Sequence, residues 1–436
     1  MSAESSKPGP TTHGDGVVVV GGGLAGLTAA TFAARSGAEV VLIEARRDPG
    51  GRARTEVRSG FFVNQGPHAL YRGGAAAKVL RELGVTVRGR TPPLWRGWLC
   101  EDGRLHDVRR PGTVGWAAAR GAAAAFAPGA AARCDRGMSL REWLDAHVPV
   151  EGQDRVRALF RVSTYADAPD VTDAAASLTQ LHLGAKGVTY LHGGWQTIVD
   201  GLRHAAADAG VHLVEGAKVT GVHDGSTGAT VLTESREYQA ASVVIAAGGP
   251  GHAATLLSGA SPAVDRWARE ALPVHAACLD TSLRRLSRPK RLAILGSDRP
   301  LYQIVHTAAA DLAPSSGGEL IHSMWYEPER WPDVDHRAEL ESLLDLSQPG
   351  WREVTIDSRF SRQLVVAHDR PRPRTDPDAN PTVGVSDLQG VFVAGDWLTA
   401  RGLLADAAIG SARDAGVAAA RVALGDGRPS ASAARA

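Results

Sequence analysis

Gly21-x-Gly23-x-x-Gly26 stands between an apolar run, Val17–Val20, and a segment of helical spacing, Leu24–Arg35. Glycine at those three steps allows backbone N–H groups to close on a pyrophosphate: Gly21 makes the tight turn, Gly23 admits the phosphates, and Gly26 lets helix and strand pack closely. Leu24, Ala25 and Gly26 would open the helix, whose N-terminus adds free N–H groups and partial positive charge. Glu44 ends the next apolar strand, Val40–Glu44, and is followed by Ala45. A carboxylate there accepts hydrogen bonds from ribose hydroxyls and repels a 2′-phosphate. NADP is thereby disfavoured, while NAD and FAD both stay open.

Further along, Arg46-Arg47-Asp48-Pro49-Gly50-Gly51-Arg52 follows the acidic residue directly. Gly50 and Gly51 could carry the chain close to a cofactor, with Arg52 offering a fork of donors to phosphate or flavin oxygens. This stretch resembles the second diglycine-Arg motif of FAD-dependent amine oxidases and phytoene desaturase-like proteins. The resemblance continues in order along most of the chain. Tyr190-Leu191-His192-Gly193-Gly194-Trp195 is similar to the family's Tyr-Pro-x-Gly-Gly element, with His192 where Pro is usual. Lys218–Val222 resembles the strand whose valine, here Val219, contacts adenine through its backbone. Val393-Ala394-Gly395-Asp396 resembles the Ala-Gly-Asp motif whose carboxylate binds the ribityl chain, and a helix near Leu403 and Leu404 would then point its N-terminus at the flavin.

That resemblance implies FAD, and it implies non-covalent binding, because no cysteine lies near the C-terminal motif where covalent members attach the flavin. Gly66-Pro67-His68 resembles the segment running past the isoalloxazine in phytoene desaturase-like members. His68 is therefore a candidate acid/base, with a packing histidine as the competing reading, and His192 is a second candidate. Trp397 could wall the flavin or belong to the core, and Met324-Trp325-Tyr326 with Trp331 could line an apolar pocket or pack in a strand. Amine oxidases of the superfamily keep a lysine near flavin N5. The corresponding stretch, residues 272–283, holds none.

The composition fits an enzyme of this kind and excludes several others. Among 436 residues, 48 Lys plus Arg balance 47 Asp plus Glu, so no net field draws the whole molecule to nucleic acid or an anionic membrane. Cys100, Cys134 and Cys278 are far apart and form no CxxC or Cys/His cluster, so neither a disulfide framework nor a metal site is expected. The polar N-terminus lacks the apolar region of a secretory signal. The Ala-rich stretch 113–134 reads as a helix pair, with a monotopic membrane anchor as the alternative.

The elements that must position these residues are dispersed. The expected fold class is α/β: a Rossmann-like FAD-binding domain, split into 16–74, 190–255 and 385–425, with an inserted mixed α+β substrate domain at 75–189 and 256–384. Residues 1–15 and 426–436 are read as a disordered leader and tail in a cytoplasmic protein. The activity implied is dehydrogenation of a lipophilic small molecule, of the isoprenoid or specialised-metabolite class, by hydride transfer to flavin N5, with oxygen or a quinone as electron acceptor and peripheral membrane contact allowed. Oxidation of a C–N bond, flavin-dependent isomerisation or dehydroxylation, and a non-catalytic accessory role stand as alternatives.

Overall fold

A computed structural model describes residues 14–92, 97–225, 228–376 and 379–425. The strands Val17–Val20, Val40–Glu44, His212–Glu215, Ser242–Ile245 and Val391–Val393 form one parallel sheet. Val17–Val20 is central, with Val40–Glu44 and then His212–Glu215 on one side and Ser242–Ile245 and then Val391–Val393 on the other. Both faces of this sheet are covered, which is why its inner strands are uninterrupted apolar runs rather than alternating ones. One face packs on the helices Leu24–Arg35, Gln196–Asp208 and Ala405–Ala423; the other packs on a three-stranded sheet beginning at Val219 and on the helices Pro250–Leu257 and Pro262–Glu270.

The first and last helices meet through small residues. Ala29, Ala33, Ala412, Ala415 and Ala419 are fully buried, and a methyl group placed on Gly416 would stand 2.3 Å from the Ala29 carbonyl oxygen. The alanine-rich C-terminal helix thus buys close backbone approach, which a bulkier helix could not make.

A second, seven-stranded sheet holds Thr355–Ala367, Val274–Leu283, Glu319–Tyr326, Leu301–Val305, Ala293–Gly296, Gly97–Glu101 and Arg104–Asp107 in that order. Period-two alternation divides its side chains between two environments. Leu279, Ile321 and Trp325 face outward onto the helix His336–Ser347. Cys278, Tyr302, Met324 and Tyr326 face inward, against Phe61, Tyr71, Tyr165 and Tyr190.

Two boundaries shift from those read in the sequence. The helix Ala75–Glu82, placed at the start of the inserted domain, buries Ala76, Val79 and Leu80 in the core of the parallel sheet. Pro262–Glu270 likewise buries Val264 and Trp267 there, so the nucleotide half extends past 255. In both cases the apolar face of an amphipathic helix, which the sequence shows, does not reveal which core receives it. The stretch 113–134 forms the helix Trp116–Ala125 and a single 3₁₀ turn, Ala131–Arg133, in place of a pair of full helices. No described helix is long and apolar enough to cross a membrane.

Candidate cofactor and substrate site

The glycine turn has the geometry that its spacing demands. Gly21 lies at φ +101°, and a methyl group on Gly26 would stand 1.6 Å from the Gly21 carbonyl oxygen, so only glycine allows the helix to start this close to the strand. Around Gly23 the space is open: nothing lies within 4 Å of where its Cβ would be. Gly23 also caps the helix Leu24–Arg35 without any side-chain hydrogen bond, which leaves the first-turn N–H groups of Leu24 and Ala25 available. Gly50 pairs with Gly23 in an isolated parallel bridge, its N–H donating to the Gly22 carbonyl at 2.8 Å. Gly50 and Gly51 lie at φ +128° and +55°, so the second glycine motif is folded directly onto the first.

Glu44 closes the same end of the sheet. One carboxylate oxygen accepts the Gly22 N–H at 2.6 Å and the other the Arg46 N–H at 2.8 Å, just beyond Ala45. Each oxygen keeps a lone pair for a hydroxyl donor. The Glu44 carbonyl takes the Ala217 N–H at 3.0 Å, and this contact brings Val219 to the Glu44 edge.

Asp396 is buried at the end of Val391–Val393 and is gripped from two sides. Arg52 Nη1 donates to Oδ2 at 2.8 Å; the His368 N–H donates to the same oxygen at 3.2 Å, and His368 Nδ1 lies 2.8 Å from Oδ1. Burial alone would raise this carboxyl, but the Arg52 charge and the His368 hydrogen bond more than offset it and hold Asp396 well below the ordinary carboxylate range. Arg52 also donates to the Val366 carbonyl at 2.9 Å. Nη1 makes both bonds and so orients Asp396, while the Arg52 side chain stays 38% exposed. Gly395 bonds through its N–H to Ser411 Oγ at 3.1 Å, which ties the strand end to the C-terminal helix. Leu403 and Leu404 precede that helix, whose N-terminus, like that of the first helix, has no side-chain cap; Leu404 is held at φ +57°. Leu403, Leu404 and Asp396 line a small cavity with Thr164, Val274 and Arg370.

His68 lies on the segment that joins the two halves. Gly66, at φ +82°, turns the chain so that its carbonyl lies 2.9 Å from His68 Nδ1, while Pro67 fixes the step between them. A carbonyl can only accept, so Nδ1 carries the proton and Nε2 keeps the lone pair. Burial, reinforced by the neighbouring His322 and Arg52 charges, lowers this imidazole to about 4. It is neutral at pH 7 and able to accept a proton. Its ring tilts against Trp195 at 5.1 Å.

Two helix N-termini, an open glycine cradle and two oriented carboxylates form a donor and acceptor set that fits a flavin dinucleotide. The model for the family described as FAD dependent oxidoreductase matches residues 16–412. The chain belongs to that family. Among curated relatives, a coproporphyrinogen III oxidase from Propionibacterium freudenreichii is 43% identical over 19% of this chain and 16% of its own length. A phytoene dehydrogenase from Streptomyces griseus is 26% identical over 53% of each chain. A cyclohexylamine oxidase from Brevibacterium oxydans is 15% identical with a TM-score of 0.66, covering 95% of this chain and 99% of that one, which establishes the shared fold. The chain spans from 16% to 53% of the length of those two curated relatives.

The remaining candidates of this oxidoreductase take the following places. His192 Nδ1 accepts the Asp311 N–H at 2.9 Å and lies 3.1 Å from its carboxylate, so it fastens a loop. Trp397 is buried against Trp267 at 5.9 Å in the core behind the sheet, the second of its two sequence readings. The cluster Met324-Trp325-Tyr326 is divided by strand alternation, with Trp325 turned outward to Trp331 and His336.

Sequence reading missed His368, Asp280, His306 and His322. His368 meets Asp396 from 28 residues away in a loop with no motif of its own. The other three come together only through strand register, in which Asp280 pairs with His322. The alternation of ELIHSMWY could have flagged His322 as sharing a face with Met324 and Tyr326.

Proposed function

We propose that this oxidoreductase removes two hydrogens from an uncharged, largely apolar small molecule, desaturating it with non-covalently bound FAD. The observation that carries this reading is His68. It is a neutral imidazole with a fixed tautomer, on the segment that joins the cofactor half to the inward face of the seven-stranded sheet, a face packed with five of the chain's six tyrosines. FAD would be held by Gly21, Gly23, Gly26 and the first helix at its pyrophosphate, by Glu44 and the backbone near Val219 at its adenosine end, and by Asp396 and the Leu403–Leu404 helix start at its flavin end. When bound, it supplies a two-electron acceptor.

The chain contributes the remainder. His68 Nε2 takes the proton lost by the substrate, the Gly66 carbonyl stabilising the imidazolium through Nδ1–H. Phe61, Tyr71, Tyr165 and Met324 exclude water from the reacting carbons. The three cysteines are buried or half-buried, and Cys278 is pushed well up by burial, which favours non-covalent flavin. An ammonium substrate finds no free carboxylate on this face, since Asp280 is already bound by His322 and Arg359. Reoxidation by oxygen or a quinone completes the cycle. Val114, Trp116 and Val150, exposed at 42%, 70% and 80%, offer an apolar surface through which a membrane-dissolved substrate would be collected. The cofactor assignment is tested by flavin content: Glu44→Ala and Asp396→Ala should each reduce FAD retention, and unchanged stoichiometry in both would refute it.

A further inference from the structure

The inward face of the seven-stranded sheet carries a buried polar group that desaturation by His68 does not use. Strand register sets Asp280 beside His322 and Ile304 on the other side of His322, and His306 follows two residues after Ile304. His322 Nδ1 is hydrogen-bonded to Asp280, whose second oxygen takes two donors from Arg359, at 3.0 and 2.6 Å. Three donor bonds thus engage the carboxylate, which is paired with both His322 and Arg359. It remains ionised despite burial, because His322 and Arg359 lower it.

What is left over is three ring nitrogens: His322 Nε2 and both nitrogens of His306, all without a partner. The two rings are 4.3 Å apart in a T-shaped arrangement, His306 lies 4.4 Å from Tyr190, and the exposures of His322 and His306 are 0% and 1%. Leaving a buried polar atom without a partner is costly, so three together call for a partner. Native interiors keep such groups for a reason, and a bound ligand is one. Burial first, then His322 and His68, drive His306 to its neutral form, so the partner is not an anion drawn by charge. Strand alternation sets His322 on the same inward face as Met324 and Tyr326.

We propose that His306 and His322 form a subsite for an uncharged oxygen function of the substrate, a hydroxyl or a carbonyl. A hydrocarbon would leave all three nitrogens unsatisfied. An ammonium would be desolvated beside no free carboxylate. A hydroxyl or carbonyl oxygen accepts from the one N–H of neutral His306, and a hydroxyl also donates to His322 Nε2. The inference rests on the dehydrogenase reading and narrows its substrate from any lipophile to an oxygenated one.

The test uses FAD-loaded protein and three probes of one carbon skeleton, limonene, carveol and carvone, with binding followed by calorimetry. Carveol or carvone should bind at least about tenfold tighter than limonene, the gain of one buried hydrogen bond. A preference for carveol assigns a hydroxyl, and a preference for carvone a carbonyl. His306→Phe should abolish the preference, leave limonene binding unchanged, and leave the thermal unfolding midpoint of the ligand-free protein unchanged or raised, because no hydrogen bond is lost. His306→Leu repeats the measurement with a smaller side chain. Equal affinity for the three probes overturns the proposal. So does a preference that survives both variants, or a midpoint that falls by several degrees in both. Bleaching of the flavin by limonene without any binding preference would retain the dehydrogenase and remove the subsite; a preference without bleaching by any probe would do the reverse.

Discussion

The two halves of the molecule solve opposite problems. Around the parallel sheet, recognition is built from backbone: glycines that admit close approach, two helix starts without side-chain caps, and Glu44 bonded to main-chain N–H groups. Around the seven-stranded sheet, the proposed subsite is built from side chains that are far apart in sequence and are brought together by strand register, among them Asp280, His306 and His322. Backbone recognition constrains residue type at fixed spacing, and it can be read from a sequence. Convergent side chains constrain only position in space.

Substitutions at Gly26 should break the first half most completely. Gly26→Ala drives a methyl group into the Gly21 carbonyl, and neither partner can yield because both are backbone. We expect little soluble protein and no bound flavin, measured by expression yield and flavin absorbance. Gly23→Ala makes a sharper comparison, since open space surrounds that position: the protein should fold with a normal unfolding midpoint yet retain less FAD. Normal retention in Gly23→Ala would mean that the cradle is not where the dinucleotide sits.

His68 tests the junction between the halves. His68→Phe preserves the packing on Trp195 and removes the proton acceptor, so kcat should fall about 10²- to 10⁴-fold with flavin content unchanged. An unchanged kcat would make His68 a packing residue.

A smaller effect is expected at Asp406, in the first turn of the C-terminal helix. Its Oδ1 accepts the Ala76 N–H at 2.7 Å and caps the helix Ala75–Glu82, while Oδ2 has no partner. Burial raises this carboxyl to about 6, against partial opposition from the Ala76 N–H and Lys78. A folded value above the unfolded one means that stability from the neutral form is fully present below about 4 and is lost as pH rises through about 6. Asp406→Asn keeps the cap and cannot ionise. It should stabilise the protein by about 1–3 kcal/mol at pH 8 and have no effect at pH 4, as read by denaturant unfolding at the two pH values.

How much could be read beforehand follows the same division. The cofactor motifs and the strands that carry them were visible, because each depends on neighbours a few residues away. Glu44 and Asp396 were identified by position, but their partners were not: Arg52 reaches Asp396 across 344 residues. Met324-Trp325-Tyr326 read as a pocket lining or a packed strand; it is a strand, whose alternation sends its members to two different cores. His192 was singled out because it replaces a family proline, and only the loop bearing Asp311 shows what it holds.

The central claim is that this chain oxidises an uncharged molecule with bound FAD. Anaerobic titration of the purified, FAD-loaded protein with a panel of uncharged lipophiles and a matched panel of amines tests it most directly, flavin absorbance being the readout. The account predicts bleaching by members of the uncharged panel and none by the amines; bleaching by amines alone would contradict it.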